Sequence, residues 1–248
     1  MSTKRVLVTG ASKGIGRAIA IELAKQGWKV AIHYGQDRAG AESVRSEIGD
    51  ASSGLYGADL SQGPKTAAEL VSRVESDGPL TAIVNNAGVY LPLDFTGSGD
   101  EVFEANYAKT FAVNFDSPLR IIREGTKRFA TRGGGKIVNV ASRVGFRGES
   151  GAALYSASKS ALINVTRALA VELAPKNIQL FAIAPGWVET AMAREGMESR
   201  LPQILKDIPL GRMATPEDCA AATAFLLSDG ASYLSGITID INGASYFH

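Results

Sequence analysis

The sequence is poor in the residues that hold metals and disulfides. Among 248 residues there is one cysteine, Cys219, and two histidines, His33 and His248. A lone cysteine forms no internal disulfide, so a reducing, cytoplasmic location is expected. Two histidines leave too little for a His/Cys metal site, and no metal is expected. No apolar run approaches the ~20 residues of a membrane-spanning helix. The opening MSTKRVLVTG runs straight into a strand-like segment without an apolar leader. Charge of one sign is also missing: 26 basic residues face 25 acidic ones, net +1, so neither nucleic acid nor a membrane surface is the expected partner. What remains is 45% hydrophobic and 21% charged residues, the composition of a soluble globular enzyme. Any difficult chemistry then falls to an organic cofactor.

Short β-branched runs alternate with longer helical patterns along the whole chain. KRVLVT, WKVAIHY, LTAIVNN, GKIVNVAS, IQLFAIAPG and ITIDING read as strands. Several are apolar on successive residues, the mark of strands buried on both faces. GIGRAIAIELAKQG, AGAESVRSEIG, PKTAAELVSRVES, DSPLRIIREGTKRFA, YSASKSALINVTRALAVELA and TPEDCAAATAFLLSDG read as helices. Such alternation predicts an α/β fold: one doubly wound (Rossmann) parallel sheet of about seven strands with helices on both faces. No linker or repeat divides the chain, so residues 1–248 are expected to form a single dinucleotide-binding domain. Residues 189–212 interrupt the alternation with methionines, charges and prolines and read as a substrate flap. Residues 89–111, glycine-interrupted, read as an entrance loop.

The turn TGASKGIG, Thr9 to Gly16, follows the first strand and opens the first helix. Glycines there let backbone approach a pyrophosphate, and the helix N-terminus offers free N–H groups to its charge. Gly10, Ser12, Lys13, Gly14, Ile15 and Gly16 are therefore candidate cofactor contacts. The spacing is G-x-x-x-G-x-G, not the common G-x-G-x-x-G. Where many NAD-binding folds end the second strand on an acid, this one has His33 and Tyr34, with Asp37 beyond it. Lys13 and Arg38 are placed to meet a 2′-phosphate; the alternative for both is an ordinary solvated cation. NADP(H) is favoured, with NAD(H) as the alternative.

Tyr155 and Lys159 open a long helix four residues apart and so share one face. Around them, in order, stand Ala58-Asp59-Leu60, Asn85-Asn86-Ala87-Gly88, Asn114, the strand-end Ser142, and APGWVET at 184–190. In that order and spacing, from the glycine turn to GITIDINGA, the chain resembles the short-chain dehydrogenase/reductase family. The resemblance implies a catalytic set of Asn114, Ser142, Tyr155 and Lys159, and an NAD(P)-dependent oxidoreductase acting on CH–OH/C=O groups. A ketone that receives hydride develops charge on oxygen, and a preplaced acid must supply a proton there. A phenol titrates near ~10, and the Lys159 ammonium is expected to pull Tyr155 lower. Ser142 would hold the substrate carbonyl, Lys159 the nicotinamide ribose, and Asn114 would break its helix and hold a water in the proton relay. The family likeness further implies that Asp59 and Leu60 meet the adenine and that Asn86, Ala87 and Gly88 flank the ribose. Pro185, Gly186, Val188 and Thr190, with Tyr34 beside the adenosine, complete the expected cofactor contacts.

Within the family the chain is most similar to 3-oxoacyl-(acyl-carrier-protein) reductases of fatty acid biosynthesis. An acidic carrier protein would suit the basic residues Arg123, Lys127, Arg128, Arg132 and Lys176, which read equally as a solvated helix face. The loop after Ser142, RVGFRGESGAALY, places Arg143, Phe146, Arg147 and Glu149 near the expected substrate pocket. Charges there would favour a small polar or acidic ketone, or a sugar-like alcohol. A non-catalytic dinucleotide-binding protein is the remaining alternative. The long helix is apolar or small around most of its circumference, which calls for a second copy as cover and predicts a homotetramer.

Overall fold

The computed structural model describes residues 4–191 and 201–248. Seven parallel strands form one sheet in the order β3-β2-β1-β4-β5-β6-β7. They are β1 (Arg5–Val8), β2 (Lys29–Tyr34), β3 (Ser52–Gly57), β4 (Ala82–Asn85), β5 (Gly135–Val140), β6 (Ile178–Pro185) and β7 (Thr238–Ile241). β3 carries Ser, Gly and Tyr in place of the β-branched run that marks its neighbours, which is why its sequence pattern is faint.

Strand burial follows the pleat. Val6 and Val8 of β1 face one core while Leu7 faces the other, and all three are fully buried. The first core is covered by α1 (Gly14–Lys25), α2 (Arg38–Ile48) and α8 (Pro216–Leu227). The second is covered by α3 (Pro64–Ser76), α5 (Ser117–Ala130) and α6 (Ala153–Leu173). α8 starts where its sequence says it should. Thr215 accepts from the Asp218 backbone N–H at 3.2 Å, and the Asp218 carboxylate accepts from the Thr215 N–H at 2.8 Å, a reciprocal cap. The chain direction reverses its winding between β1 and β4, so the crevice at their carboxyl ends is where such sheets bind ligands.

Two expectations need correction here. Residues 89–111 are not all loop: Asp100–Phe111 form helix α4, with Asp100 and Glu101 in its first turn. Among its residues only Thr110 is buried; its helically spaced aromatics Phe103, Tyr107 and Phe111 pack on one another along the helix rather than in the core. The basic residues of α5 do not present a free patch beside the cleft. Lys127 and Arg128 pair with Glu124 at 2.9 and 3.3 Å, and Arg132 pairs with Glu75 at 2.7 Å. They precede β5, and Lys176 precedes β6, so they lie at the amino edge of the sheet, opposite the crevice.

Of the expected flap, 192–200 lie outside the described residues. The following stretch contains α7 (Leu201–Lys206), whose Ile204 joins Ile208 and Met213 in a small cluster against Trp187.

Candidate active site

The crevice is a cleft of about 770 Å³ along the carboxyl edge of the sheet, within the range of small-molecule and cofactor sites. One end is built by the glycine turn. Gly10 and Gly14 adopt φ of +62° and +55°, the left-handed region that favours glycine. At Gly16 a side chain has no room: its Cβ would stand 2.2 Å from the Gly10 carbonyl oxygen and 2.4 Å from Asn86 Nδ2. That amide belongs to the scaffold, donating to Thr9 O at 2.8 Å and Gly10 O at 3.1 Å. Thr9 Oγ1 in turn accepts from the backbone N–H groups of Asn86 and Ala87.

His33, fully buried, closes the same corner. Its Nδ1 accepts from the Gly10 N–H and its Nε2 donates to Ala58 O, both at 3.0 Å. Burial pushes the imidazole down to about 4, so it is neutral. The sequence showed a histidine where other folds keep an acid; only the packing shows it bracing the turn.

Ser12, Lys13, Gly14, Ile15 and Gly16 line this end with Gly10, as do Asp59, Leu60 and Asn86 to Gly88. Asp59 accepts from the Ser61 N–H at 2.9 Å and hydroxyl at 2.7 Å, which hold its carboxyl below the ordinary value. Two expected contacts are not brought to the cleft. Arg38 turns along α2 to Glu42, 2.9 Å away, and is largely exposed. The Tyr34 ring lies over Gly57 on the neighbouring strand, because the side chain at the end of β2 packs across the sheet rather than over its edge. Gln36 and Asp37 line the cleft instead, and Asp37 caps α2 through the Gly40 N–H.

The other end gathers the expected catalytic group. Ser142 ends β5, and Tyr155 and Lys159 face it from the first turns of α6. The Ser142 hydroxyl and the Tyr155 phenol line the same stretch of the cleft, near enough for the serine to favour the phenolate. Lys159, 3% exposed, donates to Val140 O at 2.8 Å with its Nζ 5.6 Å from the Tyr155 ring centre. The expected lowering of the phenol by this ammonium is not what burial produces. Desolvation drives Tyr155 up to about 12, the Ser142 hydroxyl opposing it, and drives Lys159 down to about 8. Tyr155 is thus a protonated phenol at neutral pH, suited to give a proton to a developing alkoxide.

Asn114 does break its helix: residues 112–116 between α4 and α5 form a π-helical turn. Its side chain is entirely buried behind the cleft wall. Oδ1 accepts from Val89 N–H and Nδ2 donates to Val89 O, each at 2.9 Å, and also to Ser158 Oγ at 3.2 Å. The side chain therefore does not reach the cleft; it ties the β4 exit to α6. Gly88, Pro185, Gly186, Val188 and Thr190 line the cleft as expected. Tyr90, Lys109 and Trp187 also line it and were missed. Lys109 sits on the helix that the sequence did not reveal. Tyr90 carried no motif, and Trp187 stood inside APGWVET without being singled out.

The sequence profile of the Enoyl-(Acyl carrier protein) reductase family matches residues 10–244. The 3-oxoacyl-(acyl-carrier-protein) reductase FabG of Staphylococcus aureus is 35% identical, the match covering 98% of each chain. The chain belongs to the short-chain dehydrogenase/reductase family. It is an oxidoreductase acting on CH–OH/C=O groups. Two solved members of the family superpose over nearly the whole chain. The 3-ketoacyl-(acyl-carrier-protein) reductase of Brucella melitensis, complexed with NADH, has a TM-score of 0.87 at 34% identity, covering 98% of both chains. A protein of Beutenbergia cavernae assigned as an NAD(P)-dependent gluconate 5-dehydrogenase, with NADP bound at low occupancy, has a TM-score of 0.90 at 33% identity. It covers 98% of this chain and 96% of its own.

Proposed function

We propose that the protein interconverts a ketone and a secondary alcohol with a nicotinamide dinucleotide, Ser142, Tyr155 and Lys159 acting on the reacting oxygen. The observation that carries this is the gathering of the Ser142 hydroxyl, a protonated Tyr155 phenol and Lys159 in the wall of one cofactor-sized cleft. The cradle at Gly10, Gly14 and Gly16 fits a pyrophosphate, since backbone there is bare and a Cβ would collide. When bound, the nicotinamide supplies or accepts the hydride. Ser142 and Tyr155 hold the carbonyl oxygen, and Tyr155 transfers its proton to that oxygen as charge develops. Lys159 stands one turn behind as the cation that re-protonates the phenol from solvent. Asn114 positions α6 through Ser158.

Lys13 in the turn supports NADP(H) through its 2′-phosphate; with Arg38 turned to Glu42 and Asp37 on the cleft wall, NAD(H) is the alternative to test alongside. The relatives support a 3-oxoacyl thioester substrate, delivered on an acyl carrier protein. A smaller polar ketone or sugar-like alcohol is the second reading, favoured by Arg143 and Glu149 in the cleft wall. The exposed Phe95, Val102 and Tyr107 around α4 and Val171 on α6 support assembly into a homotetramer, which the mass in solution checks. No helix among the described residues is long and apolar enough to cross a membrane, and a cytoplasmic location is proposed.

Following nicotinamide absorbance with NADPH and NADH against acetoacetyl thioesters, small ketones and sugar-like ketones tests this reading. Tyr155→Phe should lower kcat by about 10²-fold or more while dinucleotide affinity holds. Full-speed reduction by that variant would overturn the mechanism.

A further inference from the structure

We propose that Arg143 is an anion anchor of the substrate pocket, selecting carbonyl compounds that carry a carboxylate close to the reacting carbon. This rests on the reading of Ser142 and Tyr155 as the groups that hold the carbonyl oxygen, and it takes the second substrate reading, a small polar ketone, in place of the thioester.

Four observations carry the assignment. Arg143 follows Ser142 directly in the chain, so its stem starts about 3.8 Å from the backbone of the residue that orients the carbonyl. It lines the same cleft as Ser142, Tyr155 and Lys159 yet is only 5% exposed. A guanidinium is rarely taken so far out of water without partners, because five donors must then be satisfied. Here they are not. Nη1 donates to Ser245 Oγ at 2.9 Å, while Nη2 stands 3.7 Å from the Glu149 carboxylate, an ion pair longer than a hydrogen bond. Among the described residues Nε has no hydrogen-bond partner.

The surrounding charges decide the sign of the ligand. Among the described residues, Arg147, Glu149 and Asp207 are the charged groups that act on Arg143. Of the loop residues expected at the pocket, Arg143 and Glu149 line the cleft, whereas Phe146 is outside its lining and Arg147 is exposed. Among the described residues beside Ser142 and Tyr155, the cleft wall carries the cations Arg143 and Lys159 and the acid Glu149. A carboxylate entering beside Arg143 accepts guanidinium donors that Glu149 holds only at 3.7 Å. Ser245 fixes the far side of that fork, and it belongs to a C-terminal segment folded onto the substrate loop. His248 stacks on Phe146 at 3.7 Å between ring centres, 8° from parallel. Tyr246 donates to Phe146 O at 3.4 Å. The C-terminal segment thus braces the loop that carries Arg143 from outside the cleft lining, and Ser245 is a positioning residue.

Arg143 and Ser142 line one cleft, so the substrate class proposed is a short oxo acid and its hydroxy acid. A thioester-linked acyl chain offers no anion there. The test compares kcat/KM for 2-oxobutanoate, acetoacetate and levulinate with that for their methyl esters, using NADPH. At least one acid should exceed its ester by about 10- to 100-fold, the range of a charge-assisted bond, with the difference in KM. In Arg143→Met the acid-to-ester ratio should fall to near one, with partial recovery in Arg143→Lys and a severalfold drop in Ser245→Ala. Esters reduced as well as acids by the wild type, or an unchanged ratio in Arg143→Met, overturn the proposal. Binding of butanoate against butanamide to the NADP⁺-loaded protein, read by calorimetry, separates the two levels. Anion-selective binding lost in Arg143→Met, with no carbonyl reduced, sustains the anchor and removes the reductase reading. No selectivity for the anion removes the anchor whether or not carbonyls are reduced.

Discussion

The ring of Tyr90 meets the ring of Tyr155 edge to face, with centres 5.2 Å apart and planes at 76°. A phenol that must present its hydroxyl to one atom needs its ring held, and aromatic pairs of this geometry contribute about 1 kcal/mol beyond burial. Tyr90→Leu should therefore lower kcat about 10-fold while leaving dinucleotide affinity within about twofold. Steady-state kinetics beside a dinucleotide titration check this.

Lys159 trades stability for chemistry. Burial lowers it to about 8 from 10.5, so between those values the unfolded chain holds the proton that the folded one releases. Stability then rises with pH from 8 to 10.5, and below 8 the protein bears the whole cost, about 3 kcal/mol. Lys159→Met removes that cost but orphans the Val140 carbonyl, worth about 1 kcal/mol. The variant should be about 1–2 kcal/mol more stable at pH 7, lose the advantage by pH 10.5, and turn over about 10²-fold or more slowly. Denaturant unfolding at the two pH values is the measurement.

His33 makes the opposite end sensitive to acid. Its folded value of about 4 lies below the ordinary 6.5, so the unfolded chain takes the proton first. Stability is fully present above 6.5 and declines as pH falls toward 4, by at most about 3 kcal/mol. Protonation at Nδ1 would also oppose the Gly10 N–H. The wild-type Tm should fall more steeply between pH 6.5 and 4 than that of His33→Asn, with thermal scans in matched buffers as the check.

Gly16→Ala places a methyl group against Gly10 O and Asn86 Nδ2, so the turn must open. Dinucleotide affinity should fall about 10²-fold or more, whereas Gly99→Ala, which meets nothing within 4 Å, should leave it within about twofold. Fluorescence titration with NADPH distinguishes them.

The last residues brace the substrate loop through the Phe146–His248 stack. Deleting 246–248 should speed amide exchange across 143–149 and raise the KM for the carbonyl severalfold, with a smaller change in kcat. Exchange that stays unchanged would show that the stack holds nothing.

Local pattern announced much of the architecture. The apolar strands, the Thr215 cap, the glycine turn and the Tyr155/Lys159 spacing are short-range features, and each reads directly because the physics that sets it lies within a few residues. β3 and α4 were faint for the matching reason. β3 shares its strand character with polar and small residues, and α4 buries only Thr110, its aromatics packing on one another rather than in the core.

Sequence by itself determined the winding of the sheet, the position of the phosphate turn and the residues that could carry a proton, because hydrophobic period, glycine and helix spacing are one-dimensional facts. Tertiary structure alone decided what those residues are worth. It buried Lys159 and half-buried Tyr155 beside it, so that desolvation and not their mutual attraction sets their protonation. It turned Arg38 to Glu42, sealed Asn114 behind the wall, and brought Ser245 from the far end of the chain onto Arg143. Burial and long-range contact are properties of the packed molecule, and no local spacing encodes them.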